Sequence, residues 1–378
     1  MTTSPAAEIT SYLKHGDYDL AVRRTLDFCL DTGDDKLIRE AIDWGRRYHA
    51  QQENNSLPQG FETDAERILD TSGSLYKPQQ QVFPLVTADK VTKTYTGGNF
   101  SLKPISIQLN TGNVLGVVGE NGNGKTTLLR CIAGQLSLDG GELKYHLLNK
   151  PDNYAVKNHI AFIPQRIPRW YGLLKDNLHF SAAIAGIKGD ANDLMVDFML
   201  ERLNLGRYAH LTWNQISSGY RTRFEIARIL LQKPRLLILD EPLANLDINA
   251  QQTILTDLIF MAKAAHNPMG IILSSQQLHE VEKVADTVLF IKNGNCLYSS
   301  NDKAEKITST AVEFETTADR DAILKIFSGT PVELQFNGGF YTIVTSALTA
   351  QEIITKMVEA QLPLTYFRDI TYSTKRFF

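Results

Sequence analysis

Cysteine is scarce in this sequence, and the three cysteines that it has lie far apart. Cys29, Cys131 and Cys296 are odd in number and form no C-x-x-C pair. Neither a disulfide framework nor a cysteine metal site is therefore predicted. A reducing compartment is the expected setting.

An excess of one charge is also lacking. The 378 residues carry 39 Lys and Arg against 42 Asp and Glu, a formal net charge of −3, and like charges form no long run. Such a balance favours neither a nucleic-acid backbone nor an anionic membrane surface as a partner. We predict that the chain binds no nucleic acid.

Long apolar runs are absent as well. The runs L-L-I-L at 236–239 and G-I-I-L at 270–273 are far shorter than the roughly 18 residues that a membrane span needs. The start of the chain contains acidic side chains and lacks the apolar core of about 7–15 residues that a secretory signal has. We predict no direct membrane insertion, so any role at a membrane depends on a partner protein.

The composition is that of a globular protein, with 43% apolar and 21% charged residues, and the length suits two or three compact units. The first fifty residues have the apolar spacing of three helices, and we assign 1–50 as a helical module. Its role stays open between an appendage that packs on the main domain and a docking element. Residues 51–84 are rich in Gln, Asn, Ser, Pro and Gly, and we assign them as a linker with a short helix at 62–70.

The middle of the chain alternates strand-like apolar runs with helical patterns, and we assign residues 85–300 as one α/β domain. Four runs are almost continuously apolar, as buried parallel strands are: residues 114–118, 160–163, 236–239 and 270–273. Asn293-Gly294, inside the alternating stretch 287–299, predicts a hairpin that places an antiparallel pair after the parallel sheet.

The tail, residues 310–378, reads strand, helix, strand, strand, helix, strand. This βαββαβ order is typical of a small ferredoxin-like α+β unit, which we assign as a C-terminal domain. The tail has no cluster of His, Cys or carboxylates at ligand spacing, so we expect a structural or regulatory appendage.

The segment G-E-N-G-N-G-K-T-T follows the apolar run 114–118 and precedes a helical pattern, the context of a phosphate-binding loop. Its glycines let backbone N–H groups point at phosphates, and the following helix N-terminus favours anions. Lys125 would supply charge to the outer phosphates, and the Thr126 hydroxyl would ligate Mg²⁺. The alternative is a structural turn, which the strand–loop–helix context disfavours. The predicted nucleotide contacts are Gly119, Glu120, Asn121, Gly122, Asn123, Gly124, Lys125, Thr126 and Thr127.

Two carboxylates end the apolar run 236–239, in the sequence L-D-E-P. The burial of that strand directs them to the edge of the sheet where ligands of open α/β sheets bind. Because side chains alternate along a strand, Asp240 and Glu241 face different directions. We assign Asp240 to the Mg²⁺ shell and Glu241 to polarising the attacking water.

The stretch I-S-S-G-Y-R-T-R at 216–223 lies between these two elements. With it, residues 85–300 resemble the ATP-binding cassette (ABC) family, whose signature reads L-S-G-G-Q. The resemblance implies the P-loop NTPase fold, with an antiparallel β subdomain and a helical subdomain added to the parallel core. It also implies a homodimer, in which Ser217 and the Gly219 backbone at a helix N-terminus face the γ-phosphate held by the other copy.

Three more residues match the family in order and spacing. The resemblance implies that Tyr95 stacks on adenine, that Gln165 contacts the metal, and that Asp247 belongs to a loop that crosses the dimer. Taken singly, Tyr95 would fit a core aromatic and Gln165 a surface amide. Their order along the chain favours the nucleotide site.

The sequence departs from the family at three positions. Ser218 replaces the first signature glycine, and Tyr220 replaces the signature glutamine. Gln276 stands where the family's switch histidine is usual, and His279 lies three residues on. Glutamine can donate to a phosphate but carries no charge at neutral pH, so transition-state stabilisation is reduced. We expect slow hydrolysis, with Glu241 still acting.

The resemblance implies an ATPase that uses ATP and Mg²⁺ at the cytoplasmic face of a membrane and drives a separately encoded integral membrane permease. Residues 166–215 correspond to the helical subdomain that receives the permease. Four residues there would form either an apolar cleft for it or part of the core: Trp170, Tyr171, Leu173 and Leu174. The closing stretch 366–378 is similar to exporter-type (ABC-2-like) ATPases, so export is expected.

A second class of function stays open from the sequence. A soluble ABC-type nucleotide switch or assembly factor would use the same cassette and turn ATP over slowly. It would bind a protein partner through residues 5–50.

Overall fold

Four helices open the chain in the computed structural model of the protein, which describes residues 4–51, 56–77, 82–98, 100–148, 153–244, 246–265, 267–299 and 309–371. They are α1 Pro5–Lys14, α2 Tyr18–Thr32, α3 Asp35–Gln51 and α4 Phe61–Leu75. Side-chain oxygens of Ser4 and Asp17 accept from backbone N–H groups and cap α1 and α2, as polar N-caps do. The three helices predicted for the first fifty residues are therefore present.

The assignment of residues 51–84 as a linker is wrong for their central part. α4 is longer than the helix predicted at 62–70, and its buried residues Phe61 and Ile68 lie seven positions apart on one face. Phe61 stacks on Trp44 of α3 with ring centroids 4.6 Å apart. Its carbonyl accepts from the Trp44 indole at 3.0 Å. A narrow apolar face is enough to dock a helix whose composition is otherwise polar.

The cassette that follows alternates strands and helices. Its strands are β1 Pro84–Thr94, β2 Ser101–Asn110, β3 Val114–Val118, β4 Gly140–Tyr145, β5 Ile160–Ile163, β6 Leu236–Leu239, β7 Gly270–Ser275, β8 Thr287–Lys292 and β9 Asn295–Ser299. Its helices are α5 Lys125–Ile132, α6 Asn153–Lys157, α7 Leu174–Ile184, α8 Asp190–Arg202, α9 Ser218–Leu230, α10 Ile248–Ala262 and α11 Leu278–Val281.

The central sheet has the strand order β5-β6-β7-β3-β8-β9. Its first five strands run parallel, and β9 is antiparallel to β8. Every residue of β3, β6 and β7 is buried, which explains their continuously apolar sequence. The α/β class is confirmed, and the carboxyl ends of these three strands meet at the edge where open α/β sheets bind ligands.

The predicted hairpin joins the central sheet to the antiparallel sheet β2-β1-β4. Asn293 and Gly294 connect β8 to β9 with φ of 51° and 76°, the two left-handed residues that a type I′ turn needs. A Cβ on Gly294 would lie 2.1 Å from the Ser101 carbonyl oxygen. The Gly294 carbonyl accepts from the Lys103 N–H at 2.8 Å, so the hairpin tip is held against β2.

The C-terminal domain has the predicted βαββαβ order. Its elements are β10 Thr310–Thr316, α12 Arg320–Ile326, β11 Glu333–Asn337, β12 Phe340–Thr345, α13 Ala350–Glu359 and β13 Leu364–Asp369. The strands form an antiparallel sheet in the order β11-β12-β10-β13, as in a ferredoxin-like unit. The end of the closing stretch 366–378 and the segment before β10 lie outside the described residues. Among the helices that the structure describes, none has the length and apolar character needed to span a bilayer.

A buried ion cluster joins the N-terminal helices to the cassette. Arg202, at the end of α8, is 2% exposed and donates to both carboxylate oxygens of Asp27 on α2, at 2.7 and 3.0 Å. It also lies 3.2 Å from Asp257 on α10, and Asp257 pairs with Arg23 of α2 at 3.1 Å. One guanidinium therefore connects three helices that are far apart in the chain.

A second contact reinforces this interface. The His49 ring on α3 lies 2.5 Å from the Glu201 carboxylate on α8. Gly45 allows that approach, because a Cβ there would lie 2.9 Å from the same carboxylate. These contacts pack the helical module on the cassette, and its docking role stays a prediction.

Replacing Arg202 tests the cluster. In Arg202→Ala the carboxylates of Asp27 and Asp257 stay buried without this cation, so we expect the free energy of unfolding to fall by about 3–5 kcal/mol. Arg46→Ala removes a surface pair with Asp197, at 2.8 Å, and should cost at most about 1 kcal/mol. Urea unfolding followed by circular dichroism measures both variants. Equal losses in the two would contradict the importance of the cluster.

Candidate nucleotide site

The loop between β3 and α5 contains the predicted phosphate-binding segment. Gly124 precedes α5 with a φ of 104°, and a Cβ there would lie 2.5 Å from Cζ of Phe100. Both the conformation and the space therefore require glycine. The loop leads directly into the N-terminus of α5, whose free N–H groups attract anions.

Lys125 is the first residue of α5 and is buried. Its ammonium group donates to the carbonyls of Gly119 and Glu120, at 2.7 and 3.1 Å. It also pairs with Oε1 of Glu241 at 3.0 Å. These three acceptors match the three protons that a lysine has. A phosphate that binds Lys125 must displace one of them.

Asp240 and Thr126 meet at the end of β6. The Thr126 hydroxyl lies 2.8 Å from Oδ2 of Asp240 and 3.1 Å from Oδ1. Because this hydroxyl has one proton and two lone pairs, it can donate to Asp240 and still offer oxygen to a cation. The pair could thus hold a hard cation beside the phosphate loop.

Glu241 has a left-handed backbone, with φ of 50°, which costs a residue with a Cβ about 1–2 kcal/mol. Its carboxylate is held at both oxygens. Oε1 faces Lys125, and Oε2 accepts from Nε2 of Gln165 at 2.9 Å and from Nε2 of Gln276 at 3.0 Å. The structure therefore brings together the proposed catalytic pair, Glu241 and Gln276, and joins both to Gln165.

A cavity of about 280 Å³ lies over the loop. Tyr95 stands at its rim, 40% exposed, and its hydroxyl lies 3.3 Å from that of Thr127. A base could stack on the exposed Tyr95 ring. The centroids of the Tyr95 and Phe100 rings lie 6.5 Å apart. The lining residues are Tyr95, Phe100, Asn121, Gly122, Gly124, Lys125, Thr126, Thr127, Gln165 and Glu241.

Three of the nucleotide contacts predicted in the phosphate loop, Gly119, Glu120 and Asn123, do not line this cavity. Gly119 and Glu120 instead provide the carbonyls that hold Lys125. Asn123 is turned toward the β8–β9 hairpin, where its side-chain oxygen accepts from Asn293 N at 2.9 Å and its carbonyl accepts from Gly294 N at 3.1 Å. Its side chain thus anchors the loop rather than facing the cavity.

The signature residues lie apart from this cavity. Ser217 is the N-cap residue of α9, and Gly219 faces Leu246, whose Cδ2 would be 3.6 Å from an added Cβ. The Asp247 side chain caps α10 by accepting from Ala250 N at 2.9 Å. Within one chain the three predicted residues Ser217, Gly219 and Asp247 therefore stay near each other and do not line the nucleotide cavity.

Two residues of the site were not predicted from the sequence. Ser274 is fully buried on β7 and binds both Asp240 and Glu241. Phe100 lines the cavity from the segment before β2. A serine in an apolar strand and a phenylalanine beside a strand each fit ordinary packing, so neither position stands out in the sequence.

A phosphate loop after one parallel strand and a carboxylate pair after another define a P-loop ATPase. The protein-family model described as "ABC transporter" matches residues 102–244. The uncharacterized ABC transporter ATP-binding protein YxlF of Bacillus subtilis is 31% identical over 212 residues, which cover 56% of this chain and 68% of that relative. The zinc import ATP-binding protein ZnuC of Pseudomonas syringae pv. syringae is 32% identical over 212 residues, covering 56% and 75%.

A solved structure agrees with these relatives. That of cbiO1 from Clostridium perfringens, part of the ABC transporter complex cbiONQ, is 25% identical with a TM-score of 0.51 and covers 59% of this chain and 91% of that one. The chain belongs to the family of ABC transporter ATP-binding proteins. It binds ATP and is an ATPase.

Moving the hairpin tip tests the anchoring of the loop. In Gly294→Ala the new Cβ would meet the Ser101 oxygen, so the tip must shift and pull on Asn123. We expect kcat/KM for ATP to fall by about 10- to 100-fold, as for misplaced catalytic groups. Gly338→Ala is the control, because its φ of 59° is similar but nothing lies within 4 Å of its Cβ. An equal loss of activity in the control would contradict the anchoring.

Proposed function

We propose that two copies of this chain bind Mg-ATP between them and couple its hydrolysis to a separately encoded membrane permease, at the cytoplasmic face of the membrane. The observation that carries the coupling is an exposed apolar surface formed by α7 and the residues just before it. It begins a few residues after Gln165, whose amide binds Glu241. One segment therefore connects the catalytic carboxylate to a surface that is suited to a partner.

The α7 surface consists of apolar residues at helical spacing. Leu173, Phe180 and Ile184 lie seven and four positions apart, on one face, with exposed fractions of 42, 68 and 66%. Tyr171, 79% exposed, extends this surface, and the Arg169 guanidinium lies 5.5 Å from its ring centroid. Contiguous exposed apolar residues mark interaction sites, and an amphipathic helix of a permease fits such a surface.

The predicted apolar cleft needs a correction, because two of its four residues belong to the core. Leu174 is fully buried, and Trp170 stacks on Trp213 with centroids 5.1 Å apart. The Trp170 indole donates to the Glu225 carboxylate at 3.1 Å. Only Tyr171 and Leu173 of the predicted set face outward, and Phe180 and Ile184 complete the surface.

The donor set at the loop fits Mg²⁺ bound with phosphates. Among the described residues, no group of three or more His, Cys, Asp or Glu side chains could hold a metal alone. Thr126 would provide one oxygen and Asp240 would accept from its hydroxyl, while phosphate oxygens and water complete the shell that this ion prefers. When bound, Mg²⁺ neutralises charge on the phosphates.

The chain's own residues then have separate tasks. Lys125 donates to the outer phosphates, and Tyr95 stacks on the base. Glu241 accepts a hydrogen bond from the attacking water and orients it, while Gln165 and Gln276 hold the carboxylate. Since Gln276 is a neutral donor, it stabilises negative charge less than a protonated histidine would, and turnover is slow.

The placement of the signature supports the proposed homodimer. In the proposed dimer Ser217 and Gly219 of one copy face the γ-phosphate bound by the other, which accounts for their distance from the cavity of their own chain. A second cavity of about 360 Å³ shares Glu241 with the first and is also lined by Leu246 and Gln276. The neighbourhood of Asp247 would cross the dimer there.

The direction of transport stays a prediction. Export rests on the closing stretch 366–378, whereas ZnuC is named as an import protein. Import and export would use the same nucleotide-site residues. The proposal of a coupled permease therefore does not depend on the direction of transport.

Two substitutions test the catalytic roles. Glu241→Gln removes the carboxylate that orients water, so we expect kcat for ATP to fall by about 10²- to 10⁴-fold. Gln276→His restores a donor that can carry charge, and should raise kcat by about tenfold or more. Gln335→His, on β11 of the C-terminal domain, controls for the added imidazole. Unchanged turnover in Glu241→Gln would remove that carboxylate from the mechanism.

Charges on α7 test the docking surface. We expect the double variant Phe180→Asp, Ile184→Asp to lose at least about 90% of its recovery with membranes, because each new carboxylate would be desolvated at the interface. Val358→Asp on α13 is the control, since Val358 is equally exposed at 64%. Crosslinking in native membranes and mass spectrometry identify the partner. Recovery of only soluble proteins would instead support the nucleotide-switch alternative.

A further inference from the structure

We propose that Ser274 is a positioning residue that holds both catalytic carboxylates from one point on β7. The proposal rests on the functions proposed above for Asp240 and Glu241. Ser274 lies near the end of β7 with an exposed fraction of 0%, between the strand that ends in the carboxylates and the strand that leads into the phosphate loop.

The hydroxyl of Ser274 makes two hydrogen bonds whose directions are fixed by chemistry. It accepts from the Glu241 N–H at 2.9 Å, because a backbone amide can only donate. It donates to Oδ1 of Asp240 at 2.9 Å, because a carboxylate can only accept. The Ser274 hydroxyl thus uses its proton and one lone pair, and its Oγ atom connects Asp240 to Glu241.

The bond to Asp240 sets the orientation of that carboxylate. Rotation about the last torsion of aspartate is broad in energy, so bonds at the oxygens decide where the group points. Ser274 holds Oδ1, and Thr126 donates to Oδ2 at 2.8 Å. With both oxygens engaged, the carboxylate is aligned with the hydroxyl that would ligate Mg²⁺.

The bond to Glu241 opposes relaxation of its backbone. The left-handed φ of 50° is disfavoured for a residue with a Cβ. A rotation toward the ordinary region would turn the side chain away from Lys125 and Gln165. Ser274 holds the N–H while Gln276, two residues further along the chain, holds Oε2, so the end of β7 secures Glu241 at its backbone and at its tip.

Ser275 is a matched control on the same strand. Successive side chains of a strand point to opposite faces, and Ser275 Oγ accepts from Gln277 N at 3.0 Å. It is nearly as buried as Ser274 but makes no bond to either carboxylate. The loss of one buried hydroxyl can therefore be compared at two adjacent positions.

Kinetics separate a positioning role from a general loss of stability. In Ser274→Ala we expect kcat to fall by about 5- to 100-fold, the range for removing one partner of buried hydrogen bonds. The Mg²⁺ concentration for half-maximal activity should rise, while the affinity for ATP without Mg²⁺ stays unchanged. Ser275→Ala should match the wild type in kcat, in Mg²⁺ dependence and in ATP affinity. Ser274→Thr keeps the hydroxyl and should therefore have a kcat close to that of the wild type.

Hydrogen exchange gives a measurement that is independent of activity. The Glu241 amide, in a peptide spanning 237–244, should exchange at least tenfold faster in Ser274→Ala than in the wild type or Ser275→Ala. If Ser274→Ala matches Ser275→Ala in exchange and in Mg²⁺ dependence, the role of Ser274 is overturned. Rapid exchange of this amide in the wild-type protein overturns it as well.

Glu241→Gln separates this proposal from the one on which it rests. An inactive Glu241→Gln together with a Ser274→Ala that behaves as wild type overturns only the role of Ser274. Full activity in Glu241→Gln overturns the catalytic assignment, and the positioning role with it.

Discussion

The buried pair of Lys125 and Glu241 ties the phosphate loop to the end of β6. The two side chains are 4 and 9% exposed, and charges removed from water must be paired and hydrogen bonded. Glu241 meets this need with Lys125, Gln165 and Gln276, each from a different segment. A phosphate that binds Lys125 must displace one of its three acceptors, and Glu241 is the acceptor that links Lys125 to the segments of Gln165 and Gln276.

The ion cluster around Arg202 has similar chemistry and a different consequence. Burial lowers the pKa of the Arg202 guanidinium, but the carboxylates of Asp27 and Asp257 outweigh this effect, so the pKa is raised. The cluster lies where α2, α8 and α10 meet, beside a small cavity of about 70 Å³, whereas the Lys125 pair opens onto the larger nucleotide cavity. The first arrangement is suited to holding the N-terminal helices on the cassette, and the second to exchanging partners when a ligand arrives.

The parts that the sequence predicted are those with local causes. The strands β3, β6 and β7 are continuously apolar because both of their faces are buried, and Asn293-Gly294 forms a hairpin because both residues accept a left-handed backbone. The parts that it missed depend on contacts between distant positions. Ser274 lies 34 positions from Asp240, and Arg202 lies 175 from Asp27. The docking of α4 on Trp44 is of the same kind, since no feature of 51–84 alone reveals its partner.

In the proposed mechanism, a neutral Gln276 at the position of the family's switch histidine leaves more of the transition-state charge to other groups. Gln276 reaches the same carboxylate oxygen as Gln165, so two neutral amides hold Glu241 and neither adds positive charge. Among the described side chains that line the nucleotide cavity, Lys125 is then the one cation. In the proposed mechanism, charge that develops in the transition state would be met by Lys125, the metal, the backbone N–H groups of the loop and the signature helix of the second copy. In that mechanism the orientation of Asp240 and Glu241 decides how well these groups act. A fully buried serine that binds both residues would then matter more than it would beside a charged switch residue.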